Sequence, residues 1–215
     1  MRYDLVIFDN DGVLVDSEPI SNRVLAEYLT ELGHPTSYEE SVRDFMGGAV
    51  HRIHDLVWER TGRRLPGEFD DVFHSRVFEA FQRELHAVKG VSEVLDTLKT
   101  ESVPFCVASS GSHQRIRVAL RKTGLYERFA EHTIFSSQDV NRGKPAPDLF
   151  LHAAAAMGVD PQRCVVIEDS PLGVQAARAA GMRTLGFTGM TEPSALASAH
   201  SLFAEMTELP SLLYR

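Results

Sequence analysis

The sequence predicts an α/β protein, a doubly wound parallel sheet interrupted by an all-helical insert. Three observations predict it. Residues 1–16 and about 88–215 alternate short apolar runs with amphipathic segments, the pattern of a sheet covered by helices on both faces. Three of the runs (LVIF, FCVA and CVVI) are continuous rather than alternating, which suits strands buried on both sides. Residues 17–87 contain no convincing strand and carry apolar residues at helical spacing.

Taken in order, strands are expected at Leu5–Phe8, Pro104–Ala108, Thr133–Phe135, Cys164–Ile167 and Thr184–Phe187. Helices are expected at Val91–Thr100, His113–Lys122, Leu149–Met157 and Leu172–Ala180. Inside the insert, three groups of residues fall at helical spacing. They are Val24, Leu25, Tyr28, Leu29 and Leu32; then Ile53, Leu56 and Val57; then Phe69, Val72, Phe73, Val77, Phe78 and Phe81. Gly33-His34-Pro35, Gly47-Gly48 and Gly62 punctuate them. Two domains follow: a core of residues 1–16 and 88–215, and a helical cap of residues 17–87.

Composition narrows the function. The chain has 215 residues, 43% hydrophobic and 24% charged, and a net charge of −8. That charge, with no basic run, argues against nucleic-acid binding. It leaves room for an anionic small substrate, because local cations can reverse the field in a cleft. No run of 18 or more apolar residues appears, so no membrane span is expected. The first residues read as a strand rather than a secretory signal, which points to the cytoplasm. Cys106 and Cys164 sit in apolar runs and read as buried thiols. Without coiled-coil heptads the expected state is a monomer.

Parallel sheets bind ligands beyond the carboxyl ends of their strands. After LVIF come Asp9 and Asp11; after FCVA, Ser109 and Ser110; after TIFSSQDV, Lys144; after CVVI, Glu168 and Asp169. Several carboxylates in one crevice repel, and a hard cation such as Mg²⁺ relieves that. Lys144, Ser109 and the backbone N–H groups of the Ser-Ser-Gly-Ser turn suit a phosphate group. One carboxylate can attack phosphorus while a second moves the proton.

Asp9-Asn10-Asp11-Gly12-Val13, Ser109, Lys144-Pro145 and Glu168-Asp169-Ser170 resemble, in order, the four motifs of the haloacid dehalogenase superfamily. FDNDGVLVDSE, GKPAPD and IEDSPLGVQAARAAGM are similar to the branch containing phosphoglycolate phosphatase, sugar-phosphate phosphatases and β-phosphoglucomutase. The resemblance implies a Rossmann-like core and a Mg²⁺-dependent phosphatase acting on a small phosphorylated metabolite. Asp9 would be the nucleophile and a metal ligand. Asp11 would be the general acid/base, giving its backbone carbonyl to the metal. Ser109, Ser110 and Lys144 would hold the phosphoryl group. Asp169 would ligate Mg²⁺, and Glu168 would support the site directly or through water.

The plainer readings are set beside these. Asp9 and Asp11 alone would pass as turn residues. Ser112, Ser170 and Ser17 read as helix caps. Asn10 is expected to point away from the site. The phenylalanines of residues 69–81 read as the interior of the insert rather than a binding stripe, whereas Trp58 could be either. His51 and His54 lack a third metal ligand. In mutase relatives a histidine and an arginine in the cap hold substrate; the matching places here hold Ser21 and the segment 49–52. His51 and Arg52 are therefore the candidate substrate contacts, and hydrolysis is favoured over mutase chemistry. A dehalogenase would have no use for the acid at Asp11.

Overall fold

The computed structural model describes residues 3–46 and 50–214, the side chain of His51 excepted. The chain forms two compact units, one of residues 1–16 and 86–215, the other of residues 17–85. The return to the first unit lies two residues earlier than the expected 87/88 boundary. His86 already accepts a hydrogen bond from the Asp16 amide, and Ala87 bridges Val15.

Among the described residues of the first unit, six parallel strands form one sheet. They are β1 (Leu5–Phe8), β2 (Phe105–Ser109), β3 (Ile134–Ser136), β4 (Cys164–Glu168), β5 (Arg183–Phe187) and β6 (Ser201–Phe203). The order is β3-β2-β1-β4-β5-β6. The strand order therefore reverses beside β1, where such sheets open a crevice for ligand. Ile7 pairs with both Cys106 and Val166, which brings the ends of β1, β2 and β4 level.

The continuous apolar runs have the expected cause. Leu5, Ile7, Cys106, Ala108, Cys164 and Val166 form one face, packed with Leu149, Phe150, Ala153, Ala176 and Ala177. The alternate residues Val6, Phe8, Val107, Val165 and Ile167 are fully buried too. Each such side chain contributes about 1.5–3 kcal/mol by leaving water. Both cysteines are buried free thiols. The sequence reading missed β6, a three-residue edge strand whose middle residue, Leu202, is exposed. It is too short to carry a pattern.

The second unit contains α1 (Glu18–Glu31), α2 (Tyr38–Phe45), α3 (Val50–Thr61) and α4 (Phe69–Glu84). Its interior is aromatic. Phe69 stacks on Tyr28 at 5.2 Å and on Phe73 at 6.0 Å between ring centres. Phe69, Phe73 and Phe81 are buried, whereas Phe78 is half-buried and Trp58 is exposed. The sequence reading also missed α2, although its start was legible. Ser37 and Glu40 form a reciprocal capping box. Ser41 Oγ on α2 donates to Asn22 Oδ1 on α1 at 3.0 Å, joining the two helices through a buried polar pair. Ser17, expected to cap α1, precedes the helix in an αR conformation and its hydroxyl makes no cap bond.

The remaining helices belong to the first unit: α5 (Val91–Thr100), α6 (His113–Lys122), α7 (Asp148–Ala156), α8 (Pro171–Ala179) and α9 (Leu209–Leu213). Among the described residues no helix is long and apolar enough to cross a membrane.

Candidate active site

The strands end where the chemistry begins. Asp9 follows β1, Ser109 closes β2, and Glu168 closes β4 with Asp169 next. All four are buried. Lys144 arrives on the loop before α7, its side chain only 4% exposed. Its Nζ donates to Asp9 Oδ1 at 2.6 Å and to Glu168 Oε1 at 2.7 Å. The lysine thus bridges the ends of two adjacent strands. The Lys144–Pro145 peptide is cis, and Nζ lies 5.0 Å over the Phe150 ring.

Burial pushes the Asp9 carboxyl up, to about 7, opposed by Lys144 and reinforced by Glu168 and Asp11. Burial alone would lower Lys144, but Asp9 and Glu168 outweigh it and hold the ammonium well above its ordinary value. Lys144 is therefore a fixed positive charge.

Two glycines let the carboxylates in. At Gly12 a Cβ would lie 1.9 Å from Asp169 Oδ2, and φ there is +77°. At Gly173, in the first turn of α8, a Cβ would lie 1.7 Å from Glu168 Oε1. Ser170 caps that helix through the Gly173 amide at 3.0 Å, as the sequence implied. It also ties down Glu168, whose Oε2 accepts from Ser170 N at 2.8 Å and Ser170 Oγ at 2.9 Å.

Asp9, Glu168 and Asp169 offer ligand atoms all within 4.8 Å of one another. Three buried carboxylates lie this close together, Lys144 pairing with two of them, and like charges so placed repel unless a cation joins them. Oxygen donors of this kind suit Mg²⁺. Glu168 accepts through both carboxylate oxygens, from Lys144 and from Ser170.

Asp11 lies on the turn after β1 and was expected in the site. Two partners on its carboxylate were not foreseen. Arg115 Nη2 donates to Oδ1 at 2.8 Å, and Asn10 Nδ2 donates to Oδ2 at 3.3 Å. Asn10 was expected to point away, on the premise that the strand continues. The strand ends at Phe8, and Asn10 turns within the loop. Arg115 lies in the first turn of α6, and its stem lies close to Gly111, where a Cβ would be 3.3 Å from Arg115 Cδ. An arginine three residues past a cap serine, after a Ser-Ser-Gly turn, is the signal that was available.

Ser109 Oγ accepts from the Gly111 amide at 3.1 Å. Ser110 is exposed, and its carbonyl accepts from Ser137 Oγ at 2.7 Å. The Ser112 cap of α6 is present, accepting from Arg115 N at 3.2 Å. The His51 side chain lies outside the described residues. Arg52 is exposed, and its Nε donates to the Asp44 carbonyl at 3.3 Å. His54 pairs with Asp70 at 2.7 Å.

Comparison with known proteins identifies the family. Residues 3–181 match the family described as haloacid dehalogenase-like hydrolase. The chain is 32% identical to the 6-phosphogluconate phosphatase of Escherichia coli (strain K12), over 98% of this chain and 95% of that protein. The fold matches a haloacid dehalogenase-like protein of unknown function from Agrobacterium tumefaciens with a TM-score of 0.89 and 39% identity, covering 99% and 98% of the two chains. A hydrolase of the same family from Deinococcus radiodurans R1, solved with bound phosphate and sodium, matches with a TM-score of 0.83 and 34% identity, covering 99% and 95%. The chain belongs to the haloacid dehalogenase-like hydrolase family.

Proposed function

We propose that this protein is a Mg²⁺-dependent phosphatase that hydrolyses a small phosphorylated metabolite through a phosphoaspartate at Asp9. The observation that carries the reading is the buried bridge of Lys144 between Asp9 and Glu168, with Asp169 beside it. It presents a nucleophile, a fixed cation and an excess of carboxylate in one place. The phosphatase relative and the phosphate-bound relative support the same chemistry.

Asp9 attacks phosphorus while Lys144 offsets charge on the transferring group and holds the carboxylate in line. Asp11 gives a proton to the leaving oxygen, then takes one from the attacking water. Arg115 and Asn10 set the direction in which the Asp11 carboxylate faces. Ser109 donates its O–H to a phosphoryl oxygen, and the Ser110 amide adds a second donor. Asp9, Asp169 and the Asp11 carbonyl would hold Mg²⁺, with Glu168 supporting the site directly or through water. The ion would neutralise negative charge on the transferring phosphoryl group.

Residues 17–85 are read as the cap that selects the leaving alcohol. A sugar, polyol or sugar-acid phosphate, or phosphoglycolate, fits the class. The test is phosphate release from p-nitrophenyl phosphate and a set of such metabolites with Mg²⁺. Wild type turns over, and Asp9→Asn loses at least about 10³-fold in kcat. An Asp9→Asn variant that keeps its activity would refute the assignment.

A further inference from the structure

The α/β unit carries a second polar cluster at the edge opposite Asp9. Arg183 opens β5, His200 precedes β6, and Gln162 precedes β4. With Tyr3, Arg178, Gly181 and Met182 they line a pocket of about 300 Å³, at the small end of the range for metabolite sites. These residues stand at the amino ends of strands whose carboxyl ends hold the candidate active site. β4 has five residues, which separates the two edges by about 16 Å.

The hydrogen bonds here do not close. The Thr184 amide donates to His200 Nδ1 at 3.1 Å. That nitrogen is therefore the acceptor, and the proton of the neutral ring sits on Nε2. Arg178 Nη1 lies 3.5 Å from this same Nε2. Two donors thus face each other with no acceptor between them. Burial lowers the His200 pKa, and Arg178 and Arg183 lower it further, in keeping with a neutral ring. A third donor, Arg183 Nε, is buried without a hydrogen-bond partner, while Nη2 of the same residue is spent on Ser201 Oγ at 3.3 Å. The nearby carboxylate Asp4 is paired with Arg163. Among the described residues no carboxylate pairs with Arg178 or Arg183. On a chain of net charge −8, a pocket with donors in excess and no counter-charge needs an explanation.

We propose that this pocket binds a small tetrahedral oxyanion, a phosphate group, through the Arg178 guanidinium and His200 Nε2, with the Arg183 charge beside them. An anion oxygen between Arg178 and His200 turns two opposed donors into two charge-assisted or polar bonds, and the Arg183 guanidinium adds its charge to the same pocket. The proposal does not depend on catalysis at Asp9, since no residue is shared between the two sites.

Nitrogen-detected NMR of the full-length protein titrated with inorganic phosphate tests it. Arg183 Nε and His200 Nε2 report this pocket alone. The expected result is a saturable shift of both signals by about 10 mM phosphate, which chloride at equal ionic strength does not reproduce. Arg178→Met, a change at an exposed position, weakens the response by about tenfold. A sugar phosphate that gives the same shifts identifies the ligand as a phosphomonoester headgroup; a response to inorganic phosphate alone identifies free phosphate. No saturable shift at either nitrogen, or an equal response to chloride, overturns the proposal.

Discussion

The two units of this chain spend their polar residues differently. In the α/β unit, Asp9, Lys144, Glu168 and Asp169 are buried together at the ends of strands. In the helical unit, the ion pairs Arg23–Glu84, Arg76–Glu31 and His54–Asp70 join side chains more than a third exposed, and Asp44, the less exposed carboxylate, is shared by the exposed Arg43 and Arg60. The helical interior is instead a stack of Tyr28, Phe69 and Phe73. Buried charge costs stability unless it is paired, and clusters of it mark functional sites. The contrast is the reason the proposed chemistry is placed in the α/β unit.

After the loss at Asp9→Asn, the largest expected effect probes the close packing that admits the buried charges. Gly173→Ala should gain about 0.8–1 kcal/mol from helix propensity alone. Its methyl would nevertheless meet Glu168 Oε1 at 1.7 Å. The variant is expected to lose about 10²-fold in kcat and to melt lower rather than higher. A more stable, fully active protein would show that Glu168 is not held where it is described.

Next in size is a pH effect. The Asp9 carboxyl, raised by burial to about 7, is protonated below that pH in metal-free protein. A cation must then displace the proton. Mg²⁺ affinity is expected to fall by about tenfold for each pH unit below 7. Calorimetry in buffers of different ionisation enthalpy measures the released proton, and Asp9→Asn should flatten the profile. A flat profile in wild type would break the link between burial and metal binding.

Arg115 offers a smaller and sharper test. Arg115→Ala should lower kcat about fivefold with KM and Tm nearly unchanged, because only the aim of Asp11 is lost. Arg115→Lys should recover part of the loss. A change in KM alone would reassign Arg115 to substrate.

The smallest effect lies in the helical unit. Hydrogen bonding from Arg43 holds Asp44 below its ordinary value of 3.8, against burial, with Arg60 adding to the effect. The stability this gives is present above pH 3.8 and is lost as pH falls through the depressed value. Arg60→Ala should raise the midpoint of acid unfolding by a few tenths of a pH unit, about the size expected of a partly exposed pair. Activity near neutral pH should not change.

What was legible in the sequence follows the same division. Strands buried on both faces left continuous runs such as LVIF and CVVI, and each points to the polar residue that follows it. Asp9, Ser109, Lys144 and Glu168-Asp169 were therefore readable as one set. Arg115 was not, because its contact with Asp11 spans 104 positions and depends on a stem lying across a glycine. Asn10 was misread because a strand was assumed to continue past Phe8. In the helical unit, periodicity marked three helices, while the short α2 needed its capping box to be noticed. Arg52 and His51 stand out in the sequence by position alone, and Arg52 holds the Asp44 carbonyl.

The central claim is that Asp9 takes the phosphoryl group. Wild-type protein mixed with Mg²⁺ and a sugar phosphate, quenched within one turnover and digested, tests it by mass spectrometry. The account predicts one phosphoryl group on the peptide carrying Asp9, absent from Asp9→Asn. Release of phosphate with that peptide unmodified, and with Asp9→Asn still active, would contradict it.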